Sequence, residues 1–282
     1  MSVIQDVEVT GPVPSEQELN RIRFTRALNR RKFMSGMGMA GAATVGASVM
    51  AACGSSHKSA NVGAAGPSET DVLNFALNLE YLEASFYLYA TTGSGLASTD
   101  TGGSGMVTGG SKVTFTDSRI ADIAAEIAAD EKAHVELLRT ALGTNAVSMP
   151  NIDLAALGIG FATQAQFLTL ARAFEDVGVS AYSGAATLLT GNNLQAAANI
   201  LAVEAFHSGN IRLNIIQQGI TVTAVDTLDV LPTEQAFFFD KNALAVNRTP
   251  SQVLAIVYAN QAAGTAMGGF FPNGLNGNIK TV

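Results

Sequence analysis

Four long stretches of the chain repeat apolar residues every three or four positions, the period of an α-helix with one face in a core. The first covers about residues 69–89. The second opens at Asp117, an N-cap residue type, and runs to Leu142, where Gly143 stops it. The third covers about residues 163–189, and the fourth follows Thr190-Gly191-Asn192-Asn193 and ends near Gln218-Gly219. The tight turn between the third and fourth predicts antiparallel neighbours. The connection over 143–162 is long, contains Pro150, and is predicted to carry the chain from one end of a bundle to the other. The connection over 91–116 is rich in Gly, Ser and Thr, with a strand-like piece at 113–115. A tail follows Gly219. It has a strand-like start at 220–225, a helix opening at Thr249-Pro250, and turns over 269–274. The run Phe237-Phe238-Phe239 is predicted to pack this tail on the bundle. The expected fold is all-α: a four-helix bundle with a long crossover and an irregular C-terminal tail.

Each stripe is interrupted near its middle by an acid. Glu80 follows Leu73, Ala76 and Leu77. Glu131 and His134 sit among Ala124, Ile127, Ala128, Val135 and Leu138. Glu175 lies between Leu168 and Tyr182, and Glu204 and His207 lie between Ile200 and Ile211. A stripe faces the core, and burying an ionised carboxylate costs several kcal/mol unless it is paired or binds a metal. Four carboxylates carry −4 and two divalent cations carry +4, so two ions would neutralise them. His134 and His207 would complete the coordination, because residues three apart are neighbours on a helix. Glu80, Glu131, His134, Glu175, Glu204 and His207 are therefore the candidate ligands of one binuclear centre.

Four further residues cluster with these by spacing. Tyr87 and Tyr182 each lie seven residues after a stripe glutamate, nearly two turns on and on the same face. Each phenol either donates to a ligand carboxylate of the other helix pair or is a core aromatic with its hydroxyl satisfied elsewhere. Asp130 either accepts the ring N–H of His207 or is surface charge beside Lys132. Glu83, one turn past Glu80, could substitute for it or bridge.

The front of the chain reads as an address. Residues 1–53 contain Arg30-Arg31-Lys32-Phe33 followed by a mild Gly/Ala-rich apolar run, which resembles a twin-arginine export signal. The alternative is a transmembrane helix, which the run's glycines and low apolar content disfavour. Cys53 follows small residues as in a lipoprotein cleavage box; the alternatives are lipidation of Cys53 and ordinary cleavage nearby. Residues 54–68 form a Ser/Gly/Ala-rich tether, 69–219 the bundle, and 220–282 the C-terminal extension. The expected location is exported, in the periplasm or cell envelope, with a possible lipid anchor to the membrane.

Composition narrows the chemistry. The chain of 282 residues carries a formal charge of −7. The leader holds 6 basic and 4 acidic residues, so the rest holds 10 and 19, a balance of −9. An acidic body lacks the basic footprint that nucleic acid requires. Cys53 is the only cysteine, which excludes an internal disulfide and a thiolate metal cluster.

The segments Asn78-Leu79-Glu80-Tyr81-Leu82-Glu83, Asp130-Glu131-Lys132-Ala133-His134, Phe174-Glu175, Glu204-Ala205-Phe206-His207 and Gly268-Gly269-Phe270-Phe271-Pro272-Asn273-Gly274 resemble the ferritin-like superfamily. More narrowly, the chain is similar to the exported ferritin-like domain family that includes desiccation-related proteins. The likeness covers roughly residues 69–279 and implies the bundle and the six ligands, with two divalent ions, iron or manganese. It allows iron oxidation, peroxide reduction, peroxide dismutation or O₂-dependent oxidation. With no Cys-ligated iron domain to supply electrons, Fe²⁺ oxidation and peroxide dismutation are favoured, with peroxide, O₂ or Fe²⁺ as the small-molecule substrate. A non-catalytic envelope stress protein that binds metal is the alternative. The expected partner is the twin-arginine export machinery; the sequence allows an oligomer but does not set the oligomeric state, and the long leader and tail argue against a storage cage.

Overall fold

The computed structural model describes residues 66–103, 105–259 and 262–282. The arginine pair Arg30 and Arg31, Cys53 and the tether up to residue 65 lie outside the described residues. Four long helices form the bundle: α1 (Glu69–Thr92), α2 (Ser118–Leu142), α3 (Gln164–Ala185) and α4 (Gly191–Gln218). Their ends carry the expected signals. Ser68 and Asp71 form a capping box on α1, and Gly93 ends it in the left-handed region at φ 81°. Asp117 accepts from the Arg119 amide at the start of α2, and Thr163 from the Gln166 amide at the start of α3. α3 tightens into a 3₁₀ turn at Ala186–Leu188 before the next helix begins. The first turn of α4 has no side-chain cap.

Hydrogen bonds between helix ends define the topology. The Thr190 hydroxyl and the Asn193 amide both donate to Glu69, so α4 starts where α1 starts. Gln164 Oε1 accepts from the amides of Thr116 and Asp117, so α3 starts where α2 starts. Gln164 also donates to Gln218 at the end of α4. The order is therefore up, down, down, up. The segment after α2 must travel the length of the bundle, about 37 Å for a helix of 25 residues, which explains the long crossover.

Two strands that the sequence predicts are absent. Val113 is buried, but its amide donates to the Ala90 carbonyl at the end of α1 rather than to a strand. The segment after Gly219 continues the cap of α4, with the Ile220 amide on the Ile215 carbonyl. A two-residue parallel pair forms elsewhere, between Val107–Thr108 and Ile152–Asp153. It ties the first connection to the crossover, and the Asp153 amide then donates to Phe270 in the tail.

The tail is stitched along the bundle. Helix α5 (Pro250–Val257) begins with a Thr249–Gln252 capping box and packs on α3. Asn78 on α1 exchanges two hydrogen bonds with Asn276, and Asn278 donates to Asp71. Of the aromatic run, only Phe238 is buried, packed with Val179 and Val246 under the guanidiniums of Arg212 and Arg248. Phe237 is exposed. Crossover and tail together cover the outer side of α1, so every residue from Val72 to Tyr87 except Ala76 is buried. No helix among the described residues is long and apolar enough to cross a membrane.

Candidate metal centre

The four helices bring all six expected donors to the middle of the bundle. Glu80, Glu131, Glu175 and Glu204 have no exposed surface, and His134 and His207 retain 8% and 7%. On α2 and α4 the i, i+3 spacing sets each imidazole beside its own glutamate's turn. His134 Nδ1 lies 3.3 Å from Glu80, 3.2 Å from Glu131 and 3.6 Å from Glu204. His207 Nδ1 lies 2.9 Å from Glu131 and 3.3 Å from Glu175. The donors fall into two groups, each able to close on one ion: Glu80, Glu131, His134 and Glu204, and Glu131, Glu175, Glu204 and His207. Glu131 and Glu204 belong to both. The two groups are thus two candidate ion positions sharing a pair of carboxylates.

The donor chemistry fits such ions. Glu80 Oε2, Glu131 Oε1, Glu175 Oε2, both oxygens of Glu204 and His207 Nδ1 are buried with no hydrogen-bond partner. His207 Nδ1 and Glu131 Oε1 are only 2.9 Å apart but do not align as donor and acceptor. Two lone pairs aimed at a common third partner would have this arrangement. Buried polar atoms are normally satisfied, so this many orphans in one place suit a bound cation that would complete them.

The neighbouring residues orient the donors. The Tyr87 hydroxyl on α1 donates to Glu175 on α3, and the Tyr182 hydroxyl on α3 donates to Glu80 on α1. Each phenol therefore crosses to the other helix pair. His207 Nε2 lies 3.4 Å from Asp130 Oδ2, while Lys132 pairs with Asp100 and Glu136. Glu83 is buried beside the other carboxylates, and its Oε2 also lacks a partner.

Protonation follows from burial and crowding. In the metal-free protein burial lifts Glu80 to about 7 and pushes Glu83 and Glu204 well above the usual carboxylate range, aided by the neighbouring carboxylates. Burial raises Glu175 as well, against the opposing pull of His207. Burial would also raise Glu131, but His134 and His207 outweigh it and hold its carboxyl low. Burial would lower the two imidazoles, yet the surrounding carboxylates hold both well above the ordinary histidine value. Without ions, protons serve as the site's cations. Metal binding must displace them.

Sequence reasoning missed a second buried layer behind the site. Arg212 donates to Asp176 at 2.7 Å and to the carbonyls of Gln235 and Ala236. Ser208 donates to the other Asp176 oxygen, and Arg172 bonds Asp229 and the Thr223 carbonyl. Arg248 binds Asp226 with two nitrogens and Ser180 with a third. Burial keeps Asp176 above its ordinary value despite Arg212, Ser208 and Arg172. Burial acts the same way on Asp226, but the bonds from Arg248 outweigh it and hold that carboxyl below its ordinary value. Asp176 adjoins Glu175 and Ser208 adjoins His207, so this layer anchors one half of the site. One signal was legible: Arg212 and Glu204 are the only formally charged residues of α4. Arg212 pairs with Asp176 on α3, but the carbonyls it also binds, Gln235 and Ala236, come from the tail, which no periodicity reveals.

A family model for the ferritin-like domain matches residues 68–217, the span from the α1 cap to the end of α4. The search of curated proteins finds no match. The match covers more than half of the chain, and the chain belongs to the ferritin-like domain family.

Proposed function

From membership of the ferritin-like domain family, we propose that the bundle holds two divalent ions, iron or manganese, and serves oxidative chemistry on peroxide or on Fe²⁺ with O₂. The observation that carries this is the pair of donor groups that share Glu131 and Glu204, lined with buried oxygens lacking any partner. In this reading Glu80 and His134 hold one ion, and Glu175 and His207 the other. Bound ions of this kind would supply redox and Lewis-acid chemistry. The protein's own residues do the rest. Four carboxylates balance two divalent charges, and a carboxylate-rich donor set suits manganese and iron. Tyr87 and Tyr182 hold Glu175 and Glu80 in place, and Asp130 holds the far side of the His207 ring. The burial of the four glutamates excludes bulk water. The donors' remaining exposed surface belongs to the two imidazoles, so a small substrate is read as approaching past them, between α2 and α4.

The electron balance selects among reactions. The single cysteine, Cys53, provides no cysteine-ligated iron centre within the chain. Fe²⁺ as substrate or hydrogen peroxide as both oxidant and reductant needs no such supply. We read the arginine pair Arg30-Arg31 as export after folding, the location as the cell envelope, and Cys53 as a lipid anchor. The narrower kinship with desiccation-related exported proteins belongs to the same proposal.

A second reading is non-catalytic metal holding in an envelope stress protein. It is favoured by donors contributed from all four helices, which would make bound ions a strong clamp on the bundle. One experiment separates the two. Full-length protein recovered from its export route is assayed for metal content, oxygen evolution from peroxide, and oxygen uptake with Fe²⁺. Turnover that disappears in Glu131→Ala supports the enzyme. Bound metal that raises the melting temperature without any turnover supports the holder. Zinc or copper as the native metal would overturn the assignment of iron or manganese.

A further inference from the structure

Helix α3 carries a glycine in its interior, Gly178, one turn after Glu175. Glycine there costs about 0.5–1 kcal/mol relative to alanine. Its backbone is not in the left-handed region, so no turn geometry calls for it. The space in front of it does. A methyl group on Gly178 would lie far inside van der Waals contact of Glu204 Oε2, and 3.2 Å from Glu83 Oε1. Two buried carboxylates, one from α4 and one from α1, thus meet in the hollow left by a missing side chain. The Glu204 oxygen at the hollow, Oε2, lacks a hydrogen-bond partner, and on Glu83 the other carboxylate oxygen, Oε2, lacks one.

The two halves of the bundle differ at this point. Glu80 and Glu175 hold matching places, each seven residues before its tyrosine. Three residues after them stand Glu83 on α1 and Gly178 on α3. A long acid on one side therefore faces an absent side chain on the other. Glu204 uses the hollow in one direction only: its Oε1 lies 3.6 Å from His134, and its Oε2 is the oxygen at Gly178. Gly184, the other glycine of α3, has a different cause. A methyl group there would strike the Arg248 backbone, which a packed tail cannot move. At Gly178 it would strike only the ends of two side chains that can swing.

We propose that Gly178 is a positioning residue for the metal centre: it holds open the hollow that lets Glu204 serve both ion positions and admits Glu83 as a seventh donor. This rests on the binuclear reading above. It also makes the two ion positions inequivalent, because the extra donor comes from one half only.

The test titrates Mn²⁺ into metal-free full-length protein by calorimetry, with bound metal counted by mass spectrometry and melting followed separately. Wild type should bind two ions. Gly178→Ala should melt in the metal-free state at or above wild type, since alanine is the better helix former, yet bind its second ion about 10-fold or more weakly. Glu83→Gln should weaken one ion and spare the other. Gly178→Ala that binds both ions as wild type does, or that melts well below wild type without metal, would overturn the role of Gly178. Undiminished binding by Glu83→Gln would overturn the seventh donor. Wild type that binds no Mn²⁺ or Fe²⁺ would overturn the binuclear reading, and this inference with it.

Discussion

Removing the ions should make this protein lose stability as pH rises, the reverse of the usual behaviour of carboxylates. Without metal, burial holds Glu80 at about 7 against an ordinary 4.5. Between those values the folded chain keeps a proton that the unfolded chain has released. The stability contributed is whole below pH 4.5 and is lost as pH climbs through about 7. At about 1.4 kcal/mol per pH unit, Glu80 alone accounts for about 3 kcal/mol. Glu83, Glu175 and Glu204 shift in the same direction and add to the loss. So do His134 and His207 above pH 6.5, because their folded values are raised despite burial. Glu131 has the opposite sign, but its interval lies below pH 4.5. Bound ions would take the place of these protons, and an ion at a thousand times its dissociation constant adds about 4 kcal/mol. The assay is urea unfolding at pH 5 and pH 8, with chelator and with excess Mn²⁺. The metal-free protein should lose about 3 kcal/mol or more between those pH values, and the loaded protein should not. A metal-free stability that is flat or rising from pH 5 to pH 8 would refute the reasoning.

The shared carboxylates lead to a stoichiometry test: after reconstitution with Mn²⁺, His134→Ala should retain one ion by elemental mass spectrometry and Glu131→Ala neither, since Glu131 belongs to both donor groups. Tyr87→Phe should keep its helical circular dichroism but bind Mn²⁺ about 10-fold more weakly by calorimetry, because Glu175 loses the phenol that orients it. Arg212→Met should cost about 3–5 kcal/mol, since it breaks a buried ion pair and leaves Asp176 with only Ser208 and the longer contact to Arg172. Differential scanning calorimetry should register this as a melting temperature lower by roughly 10 °C in a domain of this size.

Much of the scaffold and of the donor set was legible because both depend on local rules. Caps such as Asp117 and Thr249, a stop such as Gly143, and the apolar period mark where helices begin, end and face. The same period isolates Glu80, Glu131, Glu175 and Glu204 as acids on core-facing stripes. The failures were of a different kind. Residues 113–115 and 220–225 have strand-type side chains, but a strand exists only where another strand lies alongside, and at these places the backbone bonds to helix ends instead. The fate of Glu83 was likewise open in the sequence, because its burial depends on crossover and tail closing over α1.

The amino-acid sequence by itself determined four helices, their lengths, and the acids and imidazoles that each turns inward, since helical period and capping are properties of neighbours a few residues apart. Only the tertiary structure decided which carboxylates are shared between the two donor groups, which phenol crosses to which helix, and that Gly178 faces Glu204. It alone matched Arg172 and Arg248 with acids of the tail, and Arg212 with Asp176 on α3 and a carbonyl of the tail. The physical reason is the same in each case. Electrostatic pairing and steric room depend on distance in space, and the crossover brings together residues that no sequence interval relates.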